Sequence, residues 1–265
     1  MIPKKIHYVW VGTQPKSDLI LRCMESWKKH LPDYEIVEWD NAKFETIKNT
    51  YSEQAFHYKK WAFVSDYIRL YALYHEGGVY LDTDVEITNN IDEFLNHEFF
   101  SGYENYQGAC SPITALMGAE KGNNIIKDLL DHYTTARFET SKGLNTHSNT
   151  SRITNYFEKT FGLKKPYDGK TASKLNQNSI IYPATHFCTP SNENINYSIH
   201  HFNGSWLDGY ARRNKLSFFG KYIVARFRKN TKIKSNVLPL YNNEKMIASF
   251  KLSDKIIFGL IKTGN

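Results

Sequence analysis

Two aspartates one residue apart, Asp82 and Asp84, follow the pair Gly77-Gly78 within the stretch Trp61 to Ile87, WAFVSDYIRLYALYHEGGVYLDTDVEI. Carboxylates this close repel one another unless a cation or a raised pKa compensates. Oxygen donors of this kind suit hard divalent cations such as magnesium or manganese. A second charged pair, Asp66 and Arg69, precedes them, three residues apart. That spacing puts an acid and a base on one face of a helix, where an arginine fork can make bidentate bonds to an anion. A third set lies far downstream, in the stretch from Ser198 to Trp206, SIHHFNGSW. Neutral imidazole is a good ligand for manganese-like ions. Adjacent residues on a strand point to opposite sides, so at most one of His200 and His201 faces a given site.

These residues need elements to position them. Trp61, Val64, Ile68, Tyr71 and Ala72 recur at helical spacing, as a core-facing helix requires. Gly77-Gly78 stops that helix, because glycine accepts the positive φ of a C-terminal cap. Beyond it Val79, Leu81, Thr83, Val85 and Ile87 alternate with Tyr80, Asp82, Asp84 and Glu86, which predicts one strand. On such a strand Asp82 and Asp84 share a face, roughly 6–7 Å apart at the backbone. Upstream, Ile6 to Val11 reads as a first strand, Ser17 to His30 as a helix and Tyr34 to Trp39 as a second strand. Downstream, strands are expected at Phe99 to Tyr103, Ile113 to Met117 and Ile180 to Tyr182, with a helical turn at Ile91 to Leu95. Helices are expected from Asn123 to about Ala136 and from Ile153 to Phe161, and the polar run Asn145 to Arg152 reads as a loop. Strands and helices that alternate imply an α/β fold with a mostly parallel sheet. In such a sheet ligands sit at the carboxyl ends of the strands, which is where Trp10 falls.

The joint pattern S-D-x-x-R, then G-G-x-Y-L-D-x-D, resembles the sugar-nucleotide core of family 32 glycosyltransferases and the glucosylating domains of large clostridial toxins. It is borne by Ser65, Asp66, Arg69, Gly77, Gly78, Tyr80, Asp82 and Asp84. The resemblance implies a GT-A type, single Rossmann-like domain that binds a UDP-sugar and manganese or magnesium, and transfers the sugar to a glycan acceptor with retention of configuration. Carried across, Asp84 ligates the metal and Asp82 acts on it indirectly or contacts the ribose or sugar. Asp66 and Arg69 hold sugar hydroxyls or phosphate. The segment H-x-x-W-x-G, here His7, Trp10 and Gly12, resembles the part whose tryptophan stacks on uracil, with Val9 beside it. H-H-F-x-x-S-W resembles the C-terminal metal and diphosphate motif. It assigns His200 to the metal and Ser205 and Trp206 to the diphosphate, although the toxin domains use another residue at the His200 position. Asn149 falls where relatives contact the donor sugar, but a helix cap with Ser151 is the reading its neighbours favour.

The chain of 265 residues has a net charge of +7. Between Gly209 and Asn243 there are nine Lys or Arg and no acid, so the basicity belongs to the tail. Aromatic and aliphatic residues such as Phe218, Tyr222, Ile223 and Phe227 are interleaved with it. We therefore expect a catalytic domain over 1–208 and a basic, helical appendage over 209–265 that lies on an anionic membrane. No nucleic-acid motif accompanies the basic run, and no nucleic-acid partner is expected. No apolar run approaches the ~20 residues a membrane-spanning helix needs. Three widely spaced cysteines suggest free thiols in a reducing compartment. The expected location is cytoplasmic, with peripheral attachment at the inner face of the cell membrane, and the expected acceptor a lipid-linked surface glycan. A protein acceptor, and a nucleotide-sugar-binding regulator without turnover, are the alternatives. Leu81 to Val85 also fits the D-x-D-x-[TV] of aspartyl-phosphate phosphatases, but no G-D-x-x-x-D or Asp-Asp pair follows.

Overall fold

The computed structural model describes residues 1–106, 109–113, 115–141, 143–191 and 195–203, together with the backbone of four strands at 214–218, 221–229, 244–253 and 256–263. The chain divides into two compact units, Met1–His201 and Phe202–Asn265.

The first unit begins as the apolar spacing predicts, with β1 (Lys5–Val9), α1 (Asp18–His30) and β2 (Glu35–Trp39). Two short helices that the pattern does not announce come next, α2 (Asn41–Ile47) and α3 (Thr50–His57). Both start at polar caps: Asp40 accepts from the Lys43 N–H, and Asn49 forms a capping box with Ser52. The central helix α4 (Trp61–Glu76) buries Val64, Ile68 and Ala72, while Trp61 and Tyr71 are only half-buried. Gly77 closes it through an N–H bond to the Leu73 carbonyl at 3.0 Å. Gly77 and Gly78 both take positive φ, +69° and +116°. A Cβ on Gly77 would come within 2.6 Å of the Lys121 nitrogen, and one on Gly78 within 2.9 Å of the Lys5 oxygen. Conformation and close backbone approach therefore both require the glycine pair.

The expected single strand from Val79 to Ile87 is two strands, β3 (Gly78–Leu81) and β4 (Val85–Ile87). A turn separates them, closed by the Val85 N–H bonding the Asp82 carbonyl at 3.0 Å. Three consecutive polar residues, Asp82-Thr83-Asp84, compete for local hydrogen bonds and favour such a turn over a ladder. Asp82 and Asp84 are thus neighbours on a turn past the carboxyl end of β3, not on one strand face.

A 3-10 turn at Asp92–Asn96 leads to β5 (Phe99–Gly102), the hairpin of β6 (Glu104–Tyr106) with β7 (Ala109–Ser111), and β8 (Leu116–Ala119). Helix α5 (Asn124–Thr135), the small hairpin β9 (Glu139–Thr140) and β10 (Gly143–Leu144), and α6 (Asn149–Phe161) follow. Helix α6 starts four residues before the expected Ile153, because the Ser148 side chain caps it by accepting from the Ser151 N–H. The unit ends with β11 (Ser173–Lys174), β12 (Ser179–Tyr182), α7 (Ala184–Phe187) and β13 (Ser198–His200).

Seven strands form one sheet in the order β11-β12-β5-β8-β3-β1-β2. β1 runs parallel to β2 and β3, and β12 parallel to β5, while β8 and β11 run against their neighbours. The sheet is therefore mostly parallel by strand direction, with helices packed against it, as expected for this fold class. Its core joins Ile6, Tyr8, Val79, Leu81, Phe100 and Leu116 of the sheet to Trp27 and Leu31 and to Phe94, Phe187 and Tyr197. Cys23 and Cys188 are buried and Cys110 half-buried, all as free thiols.

The second unit contains β14 (Asn214–Phe218), β15 (Lys221–Lys229), β16 (Glu244–Ser253) and β17 (Ile256–Thr263), an antiparallel sheet in the order β14-β15-β17-β16. This corrects the expectation of a helical appendage. Tyr222, Ile223, Val224 and Phe227 in β15, and Ile256, Ile257, Phe258 and Ile261 in β17, are the β-branched and aromatic types that favour pleated backbone. Among the described residues no helix is long and apolar enough to cross a membrane.

Candidate active site

The chemistry-bearing residues gather past the carboxyl ends of β1, β3 and β5, the edge at which open α/β sheets hold ligands. Asp82, Asp84 and His200 each offer one ligand atom, and these atoms lie within 4.8 Å of one another. His200 arrives there because β13 pairs antiparallel with β4, in the register Ser198↔Ile87 and His200↔Val85. Backbone bonds lock that register: the His201 N–H donates to the Asp84 carbonyl and the His200 N–H to the Cys188 carbonyl, each at 3.0 Å. The two histidines diverge as strand alternation requires. His200 Nε2 is 3.5 Å from Asp84 Oδ1, whereas His201 Nε2 is 2.8 Å from Glu86 Oε2. On its other edge His200 Nδ1 is 3.5 Å from Glu104 Oε2. Burial opposes a charged imidazole here, but the Asp84 and Glu104 carboxylates outweigh it and hold the His200 pKa well above its ordinary value. Two carboxylates and an imidazole, all partly buried, form the oxygen and nitrogen donor set that magnesium or manganese accepts.

Arg69 organises the neighbouring charges. Its Nη2 lies 3.1 Å from Asp66 Oδ1 and 3.2 Å from Asp82 Oδ1, so one guanidinium edge serves two carboxylates. Ser65 steadies it from one turn earlier in α4, with Oγ 3.2 Å from Nη2 and its carbonyl 3.3 Å from Nε. The Tyr80 ring lies under the guanidinium at 4.5 Å, and the Tyr80 hydroxyl donates to Asp82 Oδ1 at 2.8 Å. Burial disfavours the charged forms of both partners. It raises the Asp66 pKa to about 6 even against Arg69, and the Asn149 backbone N–H at the start of α6 also works against that rise. For Arg69 the carboxylates of Asp82 and Asp66 and the Tyr80 hydroxyl overcome burial and push its pKa further up.

The N-terminal motif lies at the same sheet edge. Val9 is buried, and Trp10 is half-buried just past β1, with its Nε1–H donating to the Gln14 carbonyl at 3.1 Å. The Lys16 ammonium sits 5.5 Å from the Trp10 ring centre. Asn41 clasps Gly12 at both backbone groups, at 2.8 and 3.1 Å. His7 is fully buried between Gly77 and Trp39. Its Nε2–H donates to the Gly77 carbonyl at 2.8 Å while Nδ1 accepts from Trp39 Nε1–H at 3.1 Å. That pattern fixes the neutral tautomer, and burial lowers the His7 pKa accordingly. His7 thus ties β1 to the end of α4 rather than facing a ligand.

Ser205 and Trp206 lie outside the described residues. Asn149 is buried as the first residue of α6, with Ser148 as the cap. Sequence reasoning missed Glu104 and Cys188, which meet His200 only through the tertiary fold. The one available signal for Glu104 is that an acid follows directly on the expected strand Phe99 to Tyr103, at a carboxyl end.

Residues 17–101 match the family described as the glycosyltransferase sugar-binding region containing the DXD motif. Subversion of eukaryotic traffic protein A of Legionella pneumophila is 26% identical over 163 residues, covering 49% of this chain and 24% of that protein. An uncharacterised glycosyltransferase of Acanthamoeba polyphaga mimivirus is 29% identical over 106 residues, covering 38% of this chain and 42% of that one. The chain therefore spans less than half the length of either curated relative. The solved structure of a glycosyltransferase involved in the glycosylation of the major capsid of PBCV-1 aligns with a TM-score of 0.43 at 13% identity, over 76% of this chain and 94% of that chain.

Proposed function

We propose, for a chain whose residues 17–101 match the glycosyltransferase sugar-binding region containing the DXD motif, a metal-dependent transfer of a sugar from a UDP-sugar to an acceptor hydroxyl, with retention of configuration. The observation that carries this reading is the convergence of Asp82, Asp84 and His200 within 4.8 Å, beside an Arg69 shared by Asp66 and Asp82. Asp84 and His200 would hold manganese or magnesium, with Asp82 acting through a bound water or on the ribose. Such an ion supplies Lewis-acid neutralisation of the charge that grows on a leaving diphosphate. Arg69, kept in place by Ser65 and Tyr80, would bind phosphate or sugar hydroxyls, and Asp66 would orient the sugar. Val9 and Trp10 would contact uracil, and Ser205 and Trp206 the diphosphate.

The acceptor reading is a lipid-linked bacterial surface glycan, with the enzyme cytoplasmic and peripheral at the inner face of the cell membrane. The basic segment over 209–265 supports it, since Lys and Arg beside apolar residues suit anionic lipid. A protein acceptor is the second reading, supported by the name of the Legionella relative, which refers to eukaryotic traffic.

Release of UDP from a panel of UDP-sugars, with and without manganese, tests the activity. We expect metal-dependent release with one or a few sugars, lost in Asp84→Ala, weakened in His200→Ala and least affected in His201→Ala. Full activity of Asp84→Ala without added metal removes the metal-dependent mechanism. Label transfer to lipid-linked glycans against label transfer to protein separates the two acceptor readings.

A further inference from the structure

We propose that Glu104 is a positioning residue for the cation site, holding the His200 ring so that Nε2 faces Asp84. The inference rests on reading Asp82, Asp84 and His200 as that site. The His200 ring lies between two carboxylates, with Nε2 3.5 Å from Asp84 Oδ1 and Nδ1 3.5 Å from Glu104 Oε2. Side-chain exposures are low on all sides, 11% for His200, 14% for Asp84 and 19% for Glu104, so water screens these contacts only in part.

A cation beside Asp84 takes the place of one proton of the His200 ring, and the neutral imidazole that then binds it has one proton for two nitrogens. If it stays on Nδ1, directed at Glu104, the Nε2 lone pair is available to a cation beside Asp84. If it moves to Nε2, it occupies the place a cation needs. A carboxylate at Nδ1 selects the first arrangement and makes Nε2 a stronger donor.

The backbone holds the two residues in register. Glu104 opens β6, and the next amide, Asn105 N–H, reaches Cys188 Sγ at 3.5 Å. The carbonyl of the same Cys188 accepts the His200 N–H at 3.0 Å. One buried residue therefore ties the hairpin that bears Glu104 to the strand that bears His200.

The test is manganese affinity, read from loss of the free-ion electron paramagnetic resonance signal. It uses the full chain, without any sugar donor. Glu104→Ala is compared in the parent and in His200→Ala. We expect Glu104→Ala to weaken manganese by about 10- to 100-fold in the parent and to add no loss in the His200→Ala background. Glu104→Gln keeps an oxygen beside Nδ1 without the charge and should lose less. If Glu104→Ala does not fold by circular dichroism, the same cycle is run with Glu104→Gln, whose smaller loss must likewise vanish without His200. Unchanged affinity, or an equal loss in both backgrounds, overturns the positioning role and leaves the cation site standing. An Asp84→Ala chain that binds manganese as tightly as the parent overturns the site itself, and the role of Glu104 with it.

Discussion

Arg69 is the residue on which the charge balance of the site turns. Its side chain is 10% exposed, and two carboxylates depend on one of its nitrogens. Removing one partner of a buried ion pair leaves the other charge uncompensated, which costs about 3–5 kcal/mol. Arg69→Ala should therefore lose stability on that order in urea titrations without divalent metal, whereas a mainly exposed pair would show almost no change. Asp66 makes a pH-dependent contribution. Burial raises its folded pKa from 3.8 to about 6, so the folded chain holds this proton more tightly than the unfolded chain does. The stabilisation is complete below about pH 4 and is lost as pH rises through about 6. Asp66→Asn, measured against the parent at pH 4.5 and pH 7, should remove that part of the pH dependence; identical slopes would contradict the buried, pKa-raised carboxyl. At this scale the sequence was most legible. Asp66, Arg69, Asp82 and Asp84 declare themselves by spacing, and alternation alone separates the environments of His200 and His201. Glu104 does not, because nothing local to β6 indicates that a histidine almost a hundred residues later will lie beside it.

Elements decide how those residues are aimed. The apolar spacing finds α1, α4 and β1 through β3, although β1 and β3 are buried at consecutive positions rather than on one face. It passes over α2 and α3, which are short and defined mainly by polar caps at Asp40 and Asn49. It also runs β3 into β4, because alternation continues through a turn whose residues are polar on both sides of the register. That turn is what brings the two aspartates together. Packing in the sheet is tight where β8 passes between β3 and β5. A Cβ on Gly118 would come within 2.1 Å of Phe100 Cε1, a buried ring that cannot swing into solvent. Gly118→Ala should cost about 1–3 kcal/mol as an overpacking change, seen as a lower melting temperature. An unchanged melting temperature would mean that Phe100 has room to move.

For the whole molecule, the Asp82, Asp84 and His200 cluster lies in the first unit and the excess charge in the tail. The tail's strands were hidden from sequence reasoning because its aromatic and basic residues fit an amphipathic helix and a pleated sheet equally well. The lipid preference proposed for it does not depend on that choice. Each Lys or Arg near an anionic surface contributes on the order of 1 kcal/mol, and the attraction fades with salt. The full chain should therefore sediment with anionic vesicles and be released by salt. Equal sedimentation with neutral vesicles, or none at all, would remove the membrane role. The pairing of β13 with β4 also has a consequence in time. It joins parts of the chain as distant as His201 and Glu86, 115 residues apart. At a synthesis rate of roughly 5–20 residues per second, the ribosome adds the histidine on the order of 10 s after the aspartates. Throughout that interval the nascent chain carries both aspartates without the imidazole that completes the cluster. Translation that stops after residue 84 but before residue 200 yields a chain that carries both aspartates and lacks the imidazole that completes the cluster.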